Sequence, residues 1–130
     1  MHEVSSDDCL AISTLKPQWT PNETARLLAV PAVRGFMADD GQGFVLFFDS
    51  GDEAEIIEIA VAQDSRQRGI GRSLMQAAMS GKASVFLDVQ HDNAAALALY
   101  KSLGFRVVGR REKYYNNKGD ALTMVYKERQ

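Results

Sequence analysis

EIIEIAVAQDSRQRGIGRSLMQAAMSGKASVFLDVQ, residues 55–90, is the stretch on which the fold turns. Its ends, 55–62 and 84–90, are short apolar runs rich in branched residues, which reads as two strands. Between them Ile70, Leu74, Ala77 and Ala78 recur at helical spacing from Gly69 to about Ser80, and Gly81 supplies a helix stop. A strand, a helix and a second strand joined by a right-handed crossover make the strands parallel.

Outward from this unit the signals are antiparallel. Upstream, 32–39 and 43–49 read as strands around the turn-forming "DDGQG", and the second is apolar enough to be interior. Further upstream, Ser6 with Asp7 and Asp8 predicts a helix start, and Cys9, Leu10, Ile12 and Leu15 form a loose apolar stripe that Pro17 stops. Thr20, Pro21 and Glu23 form a capping box with proline at the first helical position, so a second short helix runs to about Ala29. Downstream, Asn93 caps the Ala/Leu-rich run 94–103, and Gly104 closes it. The runs 106–115 and 121–127, joined by "NNKGD", read as a β-hairpin. The expectation is a mixed α/β (α+β) sheet, mostly antiparallel, with flanking helices, forming a single domain over 1–130.

Composition narrows the function classes. With 15 basic and 17 acidic residues the net charge is -2, so no chain-wide field draws nucleic acid or an anionic membrane. The single Cys9 forms no internal disulfide. No apolar run approaches the ~20 residues of a membrane span, and the first residues lack the pattern of a signal peptide. A cytoplasmic setting is expected. His2 and His91 are too isolated to suggest a metal site.

"RQRGIG" at 66–71 places two glycines and two arginines at a helix mouth, with Arg72 following. Glycines let backbone approach an anion, the first helical N–H groups point at it, and the arginines add charge. A triphosphate loop needs GxxxxGK before Ser or Thr, and neither "GIGRS" nor "SGKAS" supplies it. A dinucleotide turn needs a third glycine, where Leu74 stands, and must follow its strand at once, whereas "QDSRQR" intervenes. A pyrophosphate cradle and a glycine-tolerant loop with solvated arginines both remain open on these residues alone.

"RQRGIG" after "EIIEIAVA" resembles the (Q/R)xxGx(G/A) segment of the GNAT acyltransferase superfamily. "LDVQHDNAAALALYKSLGF" at 87–105 is similar to one branch, the RimI-type ribosomal-protein N-terminal alanine acetyltransferases. "GRREKYY" followed by "DALTM" resembles the end of that branch, and "QWTPNETARLLAVPAV" its tryptophan segment and short helix. The resemblance covers nearly the whole chain from Cys9.

It implies the GNAT fold, whose two parallel strands splay apart, with acetyl-CoA as cosubstrate and no metal. The carrier's arm then pairs with backbone at Ile59, Ala60 and Val61 and touches Asn93. The pyrophosphate falls to Arg66, Gln67, Arg68 and Gly69, and to Ile70, Gly71, Arg72 and Ser73 at the start of the helix. Tyr100 corresponds to the tyrosine that protonates the departing sulfur. Asp88 stands where the branch has a glutamate base and is one methylene shorter, which puts direct proton abstraction in doubt.

Acetyl transfer to an amine needs a neutral amine, a stabilised oxyanion and a proton for the thiolate. A backbone N–H near Val61 is expected to face the oxyanion. Glu58 and Glu55 are the other candidate carboxylates; strict strand alternation sends them to opposite faces, so that only one meets the amine. Tyr114 and Tyr115 alternate to opposite strand faces, so one is expected to pack and the other to wall the acceptor groove with Trp19. At pH 7.5 about a quarter of an α-amine is neutral, against about a thousandth of a lysine, so a weak base favours N-terminal acceptors. The expected acceptor is a peptide or protein N-terminus, most simply that of a ribosomal protein. A small amine such as a polyamine or antibiotic, a non-catalytic acyl-CoA-binding module, and a nucleic-acid-linked acceptor such as aminoacyl-tRNA are the rival readings; net acidity weighs against the last, no direct nucleic-acid binding is expected, and oligomeric state has no sequence signal.

Overall fold

The computed structural model of the chain describes residues 1–66, 68–112 and 119–128. Seven strands form one sheet: β1 (His2–Glu3), β2 (Val33–Met37), β3 (Gly43–Asp49), β4 (Glu53–Val61), β5 (Ser84–Gln90), β6 (Arg106–Arg111) and β7 (Ala121–Lys127). Their spatial order is β1-β2-β3-β4-β5-β7-β6, and only the β4–β5 pair is parallel. The last strand therefore lies inside the sheet, between β5 and β6. That position depends on long-range pairing along all of β5, which local pattern does not encode.

Helices α1 (Cys9–Leu15) and α2 (Pro21–Leu28) cover one face, and α3 (Ile70–Met79) and α4 (Ala94–Ser102) the other. Ile12, Met37, Phe44 and Leu46 form the core on the first side. On the second side Val45, Phe47, Val85, Leu87 and Val89 meet Leu74, Met75 and Ala78 of α3, with Tyr100 of α4. Alternate residues of β3 thus serve two cores, as its apolar character requires, whereas the buried residues of β5 serve the second alone.

Three boundaries differ from the sequence reading. Ser5, not Ser6, is the first cap: its hydroxyl accepts from Asp7 N–H, and Asp8 accepts from Ser5 N–H, so a 3₁₀ turn (Ser6–Asp8) precedes α1. β4 begins at Glu53, two residues before the apolar run, because Glu53 and Ala54 pair with Ser84 and Val85. β1, a two-residue edge strand against β2, is too short to carry a period. The capping box of Thr20 and Glu23 is present as expected.

Strict alternation also fails in β4. Leu46 pairs with Glu58 while its neighbour Phe47 pairs with Ile56, so one extra residue is inserted into β4. A bulge of this kind reverses the facing of everything beyond it. Phe48 and Leu46, on one face of β3, are the partners of Glu55 and Glu58. Both glutamates therefore face the α1 side, correcting the expectation that they point apart.

Candidate functional site

Parallel pairing between β4 and β5 covers only Glu53 to Glu55 against Ser84 to Phe86. Beyond it β4 continues to Val61 and β5 to Gln90 without pairing, so the strands part and leave a fork. Two adjoining cavities, about 590 and 710 Å³, occupy it. Lys16, Glu58, Asn93 and Tyr100 line both and mark their junction.

The larger cavity is basic. Ile59, Ala60 and Val61 form one wall; β3 pairs with their far edge, which leaves the near edge of backbone open to the fork. The carbonyl of Val61 accepts a long hydrogen bond from Arg66 Nε at 3.4 Å. Gly69 caps α3 at φ +77, a left-handed conformation, and a side chain there would meet nothing within 4 Å. The first α3 bond runs from Ser73 N–H to Gly69, so the N–H groups of Ile70, Gly71 and Arg72 have no partner within the helix. Gly69, Ile70, Gly71, Arg66 and Arg72 all line this cavity.

Arg72 donates to Ser102 Oγ, and Ser102 to the Leu99 carbonyl, which ties the start of α3 to the end of α4. Ser73 and Arg68 line neither cavity. Gln67, Tyr114 and Tyr115 lie outside the described residues. Taken together, the open strand edge, the uncommitted helical amides and two arginines fit an extended thioester carrier with a pyrophosphate. The fit rests on the backbone more than on any side chain.

Asn93 and Tyr100 owe their places to the two ends of α4. The Asn93 side chain accepts from Ala96 N–H at 3.1 Å, holding the helix start at the fork. At the other end Gly104 is left-handed at φ +98; Phe105 N–H bonds to the Tyr100 carbonyl and Gly104 N–H to that of Lys101. This is a Schellman closure, and the apolar contact that accompanies one is Phe105 against Tyr100, ring centroids 5.8 Å apart. The capping motif thus holds the Tyr100 ring, 6% exposed, against the fork.

The smaller cavity is acidic, lined by Glu55, Glu58 and Asp88. Glu58 pairs with Lys16 at 3.0 Å. Asp88 accepts from the Thr123 hydroxyl, and Arg111 lies 3.8 Å from its other oxygen. Glu55 is exposed and has no ion-pair or hydrogen-bond partner for its carboxylate among the described residues. Trp19 lines neither cavity: its ring tilts against Phe44 at 6.3 Å in the α1/α2 core. Packing, rather than a groove wall, is what its position supplies.

Lys16 and Thr123 are the site residues that sequence reading missed. Neither belongs to a motif. Lys16 arrives through the loop that ends α1, and Thr123 through the register of β7 on β5. Among the described residues no group of three His, Cys, Asp or Glu side chains is placed to hold a metal, and no helix is long and apolar enough to cross a membrane.

Residues 7–105 match the model of the Acetyltransferase (GNAT) family. The ribosomal protein bS18-alanine N-acetyltransferase of Escherichia coli is 40% identical over 82 residues, covering 57% of this chain and 55% of that protein. The N-alpha-acetyltransferase RimI of Mycobacterium tuberculosis is 45% identical over 75 residues, 55% of this chain and 48% of the relative. The matched sequence thus spans about half the length of these relatives. In three dimensions the agreement is wider: the crystal structure of the ribosomal-protein-S18-alanine N-acetyltransferase from Escherichia coli superposes with a TM-score of 0.84 at 26% identity, covering 97% of this chain and 91% of the other.

Proposed function

From a chain that belongs to the GNAT acetyltransferase family, we propose an acetyl-CoA-dependent N-acetyltransferase, one catalytic domain over 1–130, that acts on the α-amine of a peptide or protein N-terminus. A ribosomal protein is the first acceptor to try, since that is the acceptor named for the Escherichia coli relative. A cytoplasmic setting goes with such an acceptor. The observation that carries the reading is the fork itself, with a basic cavity for the carrier, an acidic cavity for the amine, and Tyr100 where they meet.

Acetyl-CoA supplies an acyl group activated as a thioester. The chain's residues do the rest. The Ile59–Val61 edge and the α3 amides bind and orient the carrier, with Arg66 and Arg72 adding charge. Since the N–H and C=O of a strand residue share an edge, the Val61 N–H faces the fork with its carbonyl and is the oxyanion donor. Tyr100 gives its phenolic proton to the leaving sulfur. On the acceptor side Glu58 takes the amine's proton, directly or through a water. Asp88, anchored to Thr123, shapes the acidic wall and holds a secondary place.

The test is acetyl-CoA-dependent mass gain on three acceptor sets: peptides with a free N-terminal alanine, the same peptides blocked at the N-terminus with an internal lysine, and a panel of small amines. Gain confined to free N-termini is expected. Gain on small amines alone would move the assignment to a small-molecule acetyltransferase. Retention of acetyl-CoA with no gain on any set would leave a binding module.

A further inference from the structure

Among the described residues Lys16 is the one lysine that lines both cavities. Its Nζ lies 3.0 Å from Glu58 Oε2, and its side chain is 28% exposed. An amine paired with the base-side carboxylate, on the lining that both cavities share with Tyr100, is placed among the groups that an acceptor amine would meet. We propose that Lys16 is a modification site of this protein: with no external acceptor present, the chain transfers acetyl to its own Lys16 in cis. The inference rests on the acetyltransferase reading of the fork and names a second acceptor for it.

The step balances with groups already present. The Lys16 ammonium first loses one proton to solvent by way of Glu58; the neutral amine then bonds to the thioester carbonyl carbon and gives its second proton to Glu58. The carbon–sulfur bond breaks, Tyr100 protonates the thiolate, and the products are Nε-acetyl-Lys16 and CoA. Protons then redistribute from Glu58 to the phenolate through water, with no oxidant or reductant involved.

Magnitudes decide whether a lysine competes. In water a lysine near pH 7.5 is neutral to about one part in a thousand, roughly 250-fold less than an α-amine. An amine held beside its electrophile has an effective concentration of about 10⁵ M when well oriented. A small part of that advantage offsets the protonation handicap.

Acetylation also has a consequence for the acceptor site. An incoming ammonium must displace Lys16 from Glu58, and acetylation removes that competitor. The modified chain therefore holds external amines more tightly.

The experiment incubates the full chain with acetyl-CoA, digests it with an acid-residue-specific protease and follows acetyl gain at each lysine, with an N-terminal alanine peptide assayed in parallel. The expected result is gain at Lys16 about tenfold or more faster than at exposed Lys101, a ratio that needs only a fraction of the available proximity effect. The rate should be unchanged on dilution of the protein, slowed by saturating peptide, and reduced to that of Lys101 in Tyr100→Phe. Separately, and without acetyl-CoA, Lys16→Gln should bind the peptide about two- to fivefold more tightly by calorimetry, the range a partly exposed ion pair supports. Peptide acetylation with Lys16 no faster than Lys101, a rate that falls on dilution, or an unchanged peptide affinity in Lys16→Gln would each overturn the inference while the enzyme assignment stands. Acetyl-CoA retained with neither peptide nor Lys16 modified would overturn the assignment and the inference together.

Discussion

The Thr123 hydroxyl donates to Asp88 Oδ1 at 2.8 Å, across the β5–β7 register that pairs the two residues. A carboxylate tied to its own sheet cannot also swing toward an amine bound near β4. Glu58, on the opposite arm of the fork, is one methylene longer and reaches the junction of the cavities.

The two carboxylates should therefore separate in kinetics. Glu58→Gln is expected to lower kcat/KM for an N-terminal alanine peptide by about 10²-fold, the usual weight of a positioned base, and Asp88→Asn by less than about tenfold. Asparagine keeps an oxygen for Thr123, so the sheet should be undisturbed. The reverse order of losses would move the base role to Asp88.

Tyr100→Phe isolates the proton donor. The ring's contact with Phe105 and the Schellman closure of α4 survive the change, because neither uses the phenolic oxygen. Turnover should fall about 10²-fold or more, while acetyl-CoA affinity, measured by calorimetry, stays within about twofold. Equal losses in both quantities would show that Tyr100 acts by binding the carrier.

Much of this site was legible because it is local. "RQRGIG" fixes a helix mouth, Asn93 a cap and Gly104 a stop, and each is written in adjacent residues. From these the open amides of α3 and the place of Tyr100 follow. The bulge was not legible: "EIIEIAVA" gives no sign that one residue is extra, and the facing of Glu55 against Glu58 depends on that residue alone. Nor were the partners. Lys16 finds Glu58 and Thr123 finds Asp88 through tertiary approach, and a lone lysine before a proline carries no signal of it.

Gly69 tests the cradle. Its φ of +77 disfavours any side chain, although the space around it is open. Gly69→Ala should cost about 1 kcal/mol of stability, and Gly69→Asn less, because asparagine tolerates the left-handed region better. Both should weaken acetyl-CoA binding if the pyrophosphate lies against this backbone. Calorimetry set beside thermal unfolding separates the two effects, and intact affinity in both variants would move the carrier's anion elsewhere.

Asp49 and Lys82 pin the sheet at the end where β4 and β5 are still paired. Lys82 Nζ donates to Asp49 and to the Gly51 carbonyl, and Arg34 and the Gly51 N–H also bond to Asp49. Lys82 lies in the short α3–β5 connection, so these bonds fasten that connection to the β3–β4 turn. The Lys82 hydrogen bond, followed by those of Arg34 and Gly51, holds the Asp49 carboxyl well below its usual range. Because the folded value lies below the unfolded one, the contribution is complete above about pH 4 and is lost as pH falls through the acid range toward the folded value. Lys82→Met should lower unfolding free energy by about 1–3 kcal/mol at neutral pH, the scale of a hydrogen bond to a charged group. It should also flatten the acid limb of stability against pH, measured by urea unfolding at pH 3 to 7. An acid limb as steep as that of the parent chain would mean that Arg34 and the Gly51 amide hold Asp49 without Lys82.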